Sequence, residues 1–222
     1  MKPDYLYMKA SALGTAILIL SSGVAPAAAP PEVSSCAACH GASGLGNVAA
    51  GFPALAGLPS DYIQQQLFSF KHGARQNAIM TGIATPLTAD QRKAIGDYYA
   101  AQPVPAKPEP SPFPTGPGAT LATNGDWDHS LSGVPSCDSC HGPAGIGVGT
   151  AFPRLAGLPK AYIAAQLAAW QKGTRENDPQ HLMQTIARKL STAQIDAVAT
   201  YYASLPANPT QLPGETEPEG AK

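Results

Sequence analysis

Cys36-Ala37-Ala38-Cys39-His40-Gly41 recurs about a hundred residues later as Cys137-Asp138-Ser139-Cys140-His141-Gly142. Outward from these two stretches the chain repeats itself in order. Phe52-Pro53-Ala54-Leu55-Ala56-Gly57-Leu58-Pro59 matches Phe152-Pro153-Arg154-Leu155-Ala156-Gly157-Leu158-Pro159. Tyr62, Gln66, Gly73, Arg75 and Asn77 match Tyr162, Gln166, Gly173, Arg175 and Asn177, and Met80, Leu87, Tyr98 and Tyr99 match Met183, Leu190, Tyr201 and Tyr202. The offset moves from 101 to 100 to 103, the mark of small loop insertions between two parallel copies. The chain is a tandem duplication.

Cys-x-x-Cys-His is the attachment signature of c-type haem. Two thiols at this spacing form thioethers to the haem vinyl groups, and the adjacent imidazole reaches the iron. Zinc knuckles normally pair over ~15–20 residues, and a thioredoxin-like pair sits near a strand–helix–strand pattern that is missing here. Simple disulfides would leave His40 and His141 unexplained. The reading is therefore two covalently bound haem c groups, on Cys36 and Cys39 and on Cys137 and Cys140.

A second axial ligand is needed if the iron is to carry electrons. Met1 and Met8 fall in the N-terminal leader, which leaves Met80 and Met183 as the chain's remaining methionines. They stand 40 and 42 residues after their haem histidines, in register between the copies. A lone Met is ordinarily core filler; two in register predict thioether ligation. His72 and His129 have no counterpart in the other copy, and His181 lies two residues before Met183. These three read as surface or loop residues.

The start of the chain has the order of an export signal: Lys2 and Lys9, the apolar run from Ala10 to Val24, then Ala25-Pro26-Ala27-Ala28-Ala29. A membrane span needs ~20 apolar residues, so cleavage after Ala27 or Ala29 and a periplasmic location are expected. Membrane association would follow only if the signal were uncleaved. The division expected is a signal at 1–29, a first domain at 30–103, a Pro-rich linker at 104–120, a second domain at 121–207 and a disordered tail at 208–222. Proline and glycine are abundant (23 and 22 residues), which fits linker and loop.

Each copy carries two helix signatures and no useful strand alternation, so the fold class is all-α. Ser60 is expected to cap a helix over Asp61 to His72, ended by Gly73, with its counterpart from about Lys160 to Lys172 ended by Gly173. Thr88 with Gln91, and Ser191 with Gln194, read as capping boxes opening a last helix. Its Tyr98 and Tyr99, or Tyr201 and Tyr202, read as core. The net charge of -1 favours neither nucleic acid nor a strongly charged partner, so docking is expected through a small apolar patch near a haem edge.

These residues resemble class I cytochromes c, specifically the dihaem cytochrome c4 family, over roughly Val33 to Pro206. The resemblance implies that the carbonyls of Pro53 and Pro153 orient His40 and His141, and that Leu55 and Leu155 pack against haem. It implies also that Arg75 and Arg175 pair with haem propionates, with a solvated loop position as the alternative. The implied function is periplasmic electron transfer without a catalytic residue, from a quinol-oxidising complex or a dehydrogenase to a terminal cytochrome c oxidase. One alternative is a dedicated cytochrome subunit of a dehydrogenase, such as the dihaem partner in flavocytochrome c sulfide dehydrogenase. Another is a dihaem enzyme, a peroxidase or a thiosulfate dehydrogenase of the kind that uses a Cys ligand, although no Cys is spare. Family members usually begin with a helix that crosses the last one. Hardly any chain is available for it before Cys36, so the first domain is expected to be open on that face or covered by the linker.

Overall fold

The computed structural model describes residues 29–108, 110, 112–127 and 133–208. Nearly all of the expected signal and tail, and His129, lie outside the described residues. Nine α-helices are present among them: α1 (Val33–His40), α2 (Ser60–Lys71), α3 (Ala78–Ala84), α4 (Ala89–Ala100), α5 (Pro117–Asn124), α6 (Asp138–His141), α7 (Lys160–Lys172), α8 (Leu182–Lys189) and α9 (Thr192–Ser204). Pairing between extended segments is limited, among the described residues, to isolated bridges.

The helices gather into two cores, one per copy. In the first, Ile63, Leu67 and Phe70 lie at helical spacing along α2 and meet Ile95 and Tyr99 of α4. In the second, Ile163, Leu167 and Trp170 of α7 meet Ile195, Val198 and Tyr202 of α9. Tyr99 and Tyr202 are fully buried, as expected, whereas Tyr98 is only half-buried.

Both capping boxes form: Thr88 and Ser191 accept from the backbone N–H of Gln91 and Gln194, whose side chains accept in return from the cap N–H. Such a cap contributes about 1 kcal/mol. Ser60 does not cap. Pro59 precedes the first turn at φ -55, which makes Ser60 the first helical residue. Its hydroxyl instead donates to Asp97 on α4 at 2.6 Å, tying the two helices together.

The copies differ at their entrances. In the second, α5 opens at Pro117, inside the stretch expected as linker, because a proline in the first turn forfeits no helical hydrogen bond. It packs across α9, and Gly118 permits the approach: a Cβ there would press into the carbonyl of Ala197, with the carbonyl carbon 2.7 Å away. In the first, no helix precedes α1 among the described residues, and Glu32 alone accepts from Gln91 of α4. Of the linker, Val104 lies against the Gly57 turn, and the N–H of Lys107 donates to the Asn208 carbonyl.

Candidate functional site

Each Cys-x-x-Cys-His stretch is helical up to its histidine, and a glycine at positive φ (Gly41, Gly142) turns the chain sharply away. The returning loop pins both ends. Gly46 donates to the His40 carbonyl at 2.9 Å and Gly147 to that of His141 at 2.6 Å. Gly44 and Gly145 lie flat on the rings of Tyr99 and Tyr202, where a Cβ would stand 2.5 Å from a ring carbon.

Both histidines are buried, and their Nδ1 atoms lie 2.8 Å from the carbonyls of Pro53 and Pro153. A carbonyl only accepts, so Nδ1 carries the hydrogen and the Nε2 lone pair is free for a metal. Burial pushes both imidazoles below the ordinary histidine range, keeping them neutral, although the proline carbonyls act in the other direction. None of the four cysteines is joined to another in a disulfide, so each pair is available for thioether bonds.

Met80 and Met183 are half-buried near the starts of α3 and α8 and pack against their domain cores. The Asn77 side chain accepts from the Met80 N–H at 3.0 Å. In the second copy Asp178 has taken over, accepting from the Gln184 N–H at 2.9 Å. His72 and His181 are exposed.

Arg75 and Arg175 are not solvated loop residues: they are 6% and 5% exposed, because the copies pack against each other through them. Across a pseudo-two-fold, Gln76 donates to the Thr174 carbonyl and Glu176 to that of Ala74. The Arg75 guanidinium reaches Gln66 in its own domain, and Tyr162 and Gln166 in the other, at 2.7–2.8 Å. Arg175 mirrors it toward Gln166, Gln66 and Tyr62, and Asn177 donates to Gln66 and Ser69. In the sequence Tyr62, Gln66 and their repeats stand out only as matches between the copies; their polar repetition beside a repeated Arg is the signal that points to the seam.

No acid among the described residues pairs with either guanidinium. Burial lowers Arg175 below its ordinary range, and the like charge of Arg75 adds to this. The ring of Trp170 lies 3.9 Å from the Arg175 guanidinium, with its own N–H buried and without an acceptor. Buried cations call for an anion. Paired thiols, a free imidazole nitrogen, a thioether and uncompensated cations together form a donor set that fits a covalently held, dianionic haem in each copy.

Comparison with known proteins agrees. The cytochrome c family model matches residues 32–100 and again 117–206. Cytochrome c4 of Pseudomonas aeruginosa is 37% identical over 181 residues, 81% of this chain and 88% of that protein.

The chain belongs to the dihaem cytochrome c4 family.

This cytochrome carries two covalent haem c groups and is an electron-transfer protein rather than an enzyme. The crystal structure of reduced cytochrome c4 from Pseudomonas stutzeri overlays with a TM-score of 0.69 at 33% identity, covering 78% of this chain and 95% of that one. A protein named thiosulfate dehydrogenase electron acceptor, from Thiomonas intermedia (strain K12), is 50% identical over 191 residues, 83% of this chain and 85% of that protein.

Proposed function

We propose that this cytochrome accepts electrons from a dehydrogenase that oxidises thiosulfate, and passes them to a terminal oxidase, after export to the periplasm. The observation that carries this is the 50% identity, over most of both chains, to a protein named for that role. It favours a dehydrogenase over a quinol-oxidising complex as donor. Among the described residues no helix is long and apolar enough to cross a membrane. The test mixes the purified holo-protein with thiosulfate and the dehydrogenase. Haem reduction is expected with both present and not with thiosulfate alone; reduction only by a quinol-oxidising complex overturns the reading.

The chain's own residues divide the work. His40 with Met80, and His141 with Met183, would hold the iron of each haem; the carbonyls of Pro53 and Pro153 hold the imidazole planes. Bound haem supplies a one-electron couple in each domain. A neutral thioether donor would favour the reduced iron, and an iron so held would have no open position for a substrate. Arg75 and Arg175, buried in the seam without an acidic partner, would supply the positive charge that haem propionates need.

Docking falls on the first domain. Residues 33–60 and 76–89, which carry its cysteines, His40 and Met80, contain no Asp, Glu, Lys or Arg. Their exposed apolar side chains are Leu45, Val48 (66%) and Ile79 (62%). The equivalent Met loop of the second domain carries Glu176, Asp178, Arg188 and Lys189. An uncharged rim fits a partner whose own cofactor edge is apolar. Reduction by the dehydrogenase should therefore vary little with ionic strength. Val48→Glu with Ile79→Glu should slow it by about tenfold or more, because a charge is desolvated without a partner. Val148→Glu with Leu182→Glu should slow it less, and a steep salt dependence of the unsubstituted protein would count against this face.

A further inference from the structure

Besides Arg75 and Arg175, the seam holds a further buried cation. Arg154 follows the proline whose carbonyl meets His141, and the first copy has Ala54 in its place. It is 8% exposed, and its guanidinium crosses to the first domain, where Nη2 donates to the Ala56 carbonyl at 3.2 Å. Its Nε–H is buried without an acceptor. Among the described residues no acid pairs with it, and burial lowers it below the ordinary arginine range.

The guanidinium lines a cleft of about 480 Å³ between the domains. Gly57 and Gln102 of the first domain, Val104 of the linker and Asn208 beyond α9 line it too, and none of the lining residues is acidic. Gly57, at φ 69°, keeps the walls close: a Cβ there would stand 2.7 Å from the Val104 side chain and 3.7 Å from Nη1 of Arg154. The Asn208 amide donates to the Val104 carbonyl at 2.9 Å, and the Gln102 amide to that of Tyr98 at 3.1 Å. A side-chain amide carries two N–H donors, so each has a second one to offer.

We propose that this cleft binds one small oxyanion, of the sulfate or phosphate class, which ties the two domains and the linker together. A buried cation with an unused donor calls for an anion. Arginine presents its N–H groups as a planar fork that matches two oxygens of one oxyanion, a match that a single-atom halide cannot make. The Ala56 carbonyl takes one of these groups, and the Nε–H is left for the ligand. Because the donors come from both sides of the seam, an oxyanion bound there stabilises the packed arrangement of the domains over any looser one. Ala54 supplies no cation at the equivalent place of the first copy, so the site occurs once per molecule.

Calorimetric titration of sulfate into the holo-protein, with sodium chloride holding the ionic strength constant, tests this. One sulfate per molecule is expected, and Arg154→Gln should weaken it by about tenfold or more, because the charged fork is lost. Sulfate also stabilises folded proteins in general by exclusion from their surface. The unfolding temperature must therefore rise more with sulfate in the parent than in the variant. Selenate soaked into crystals should give a selenium anomalous peak within hydrogen-bond reach of Arg154. Should Arg154→Gln fail to fold, Asn208→Asp decides in its place: the residue is exposed, and the change removes a donor and brings a negative charge to the rim, so sulfate should bind more weakly. The proposal is overturned if sulfate does not bind, if it binds parent and variant alike, or if the selenium lies elsewhere. A guanidinium already taken by a haem propionate would give the first of these results.

Discussion

Gly118→Ala is expected to unfold the second domain well before the first, with a loss of about 2–3 kcal/mol from that domain alone. At Gly118 α5 crosses α9 backbone to backbone, and an added methyl group meets the Ala197 carbonyl and, at 3.1 Å, the Cβ of Tyr201. Neither is the far end of a flexible side chain, so the helices must separate. Separation loosens Leu121 and Ala122, which are buried against α9, and weakens the packing over Tyr201. For a domain of this size the melting temperature should fall by roughly 10–20 °C. The molecule carries its own reporter, because its two tryptophans, Trp127 and Trp170, both belong to the second domain. Tryptophan fluorescence, quenched by haem in the folded protein, should recover early in the variant, while the haem absorbance should melt in two separated stages. Coincident fluorescence transitions in the variant and the parent would show that the crossing does not carry this load.

The duplication, the capping boxes and the haem-binding stretches were legible because each rests on residues close together in the chain, repeated at nearly constant offset. Ser60 misled because serine before a helical run usually caps. Its hydroxyl is drawn instead to Asp97, 37 residues away, and the proline before it had already set the helix start. The seam was illegible for the same reason at larger scale. Arg75 meets Tyr162 and Gln166 at separations of 87 and 91 residues, and only the packing of one copy on the other brings them together. The Tyr99 hydroxyl is subtler still: it is buried without an acceptor, whereas that of Tyr202 donates to Asp138. A buried hydroxyl without an acceptor leaves no trace in a pattern of apolar spacing, and it emerges only when two copies of one fold are compared atom by atom.

Replacing Met80 or Met183 with alanine should produce the largest functional change of all. Each is the one methionine of its domain, near the start of a short helix whose first turn is held by a carboxylate or amide oxygen, Asp178 or Asn77. Losing the thioether should abolish the sulfur-to-iron charge-transfer absorbance of one haem and leave that of the other intact. The affected step should fall in potential by on the order of a tenth of a volt or more, a modest part of the ~0.8 V that axial ligation spans. The two substitutions must be additive in the absorbance they remove, because the methionines lie in separate cores. His181, two residues before Met183, supplies a built-in contrast. It is exposed at a positive φ of 55°, and if the loop rearranges to bring its imidazole to the iron, the Met183→Ala haem will stay low-spin, whereas the Met80→Ala haem, whose loop has no histidine, will turn high-spin. An unchanged charge-transfer band in either single variant would remove that methionine from the coordination sphere, and with it the argument that both iron sites are closed to substrate.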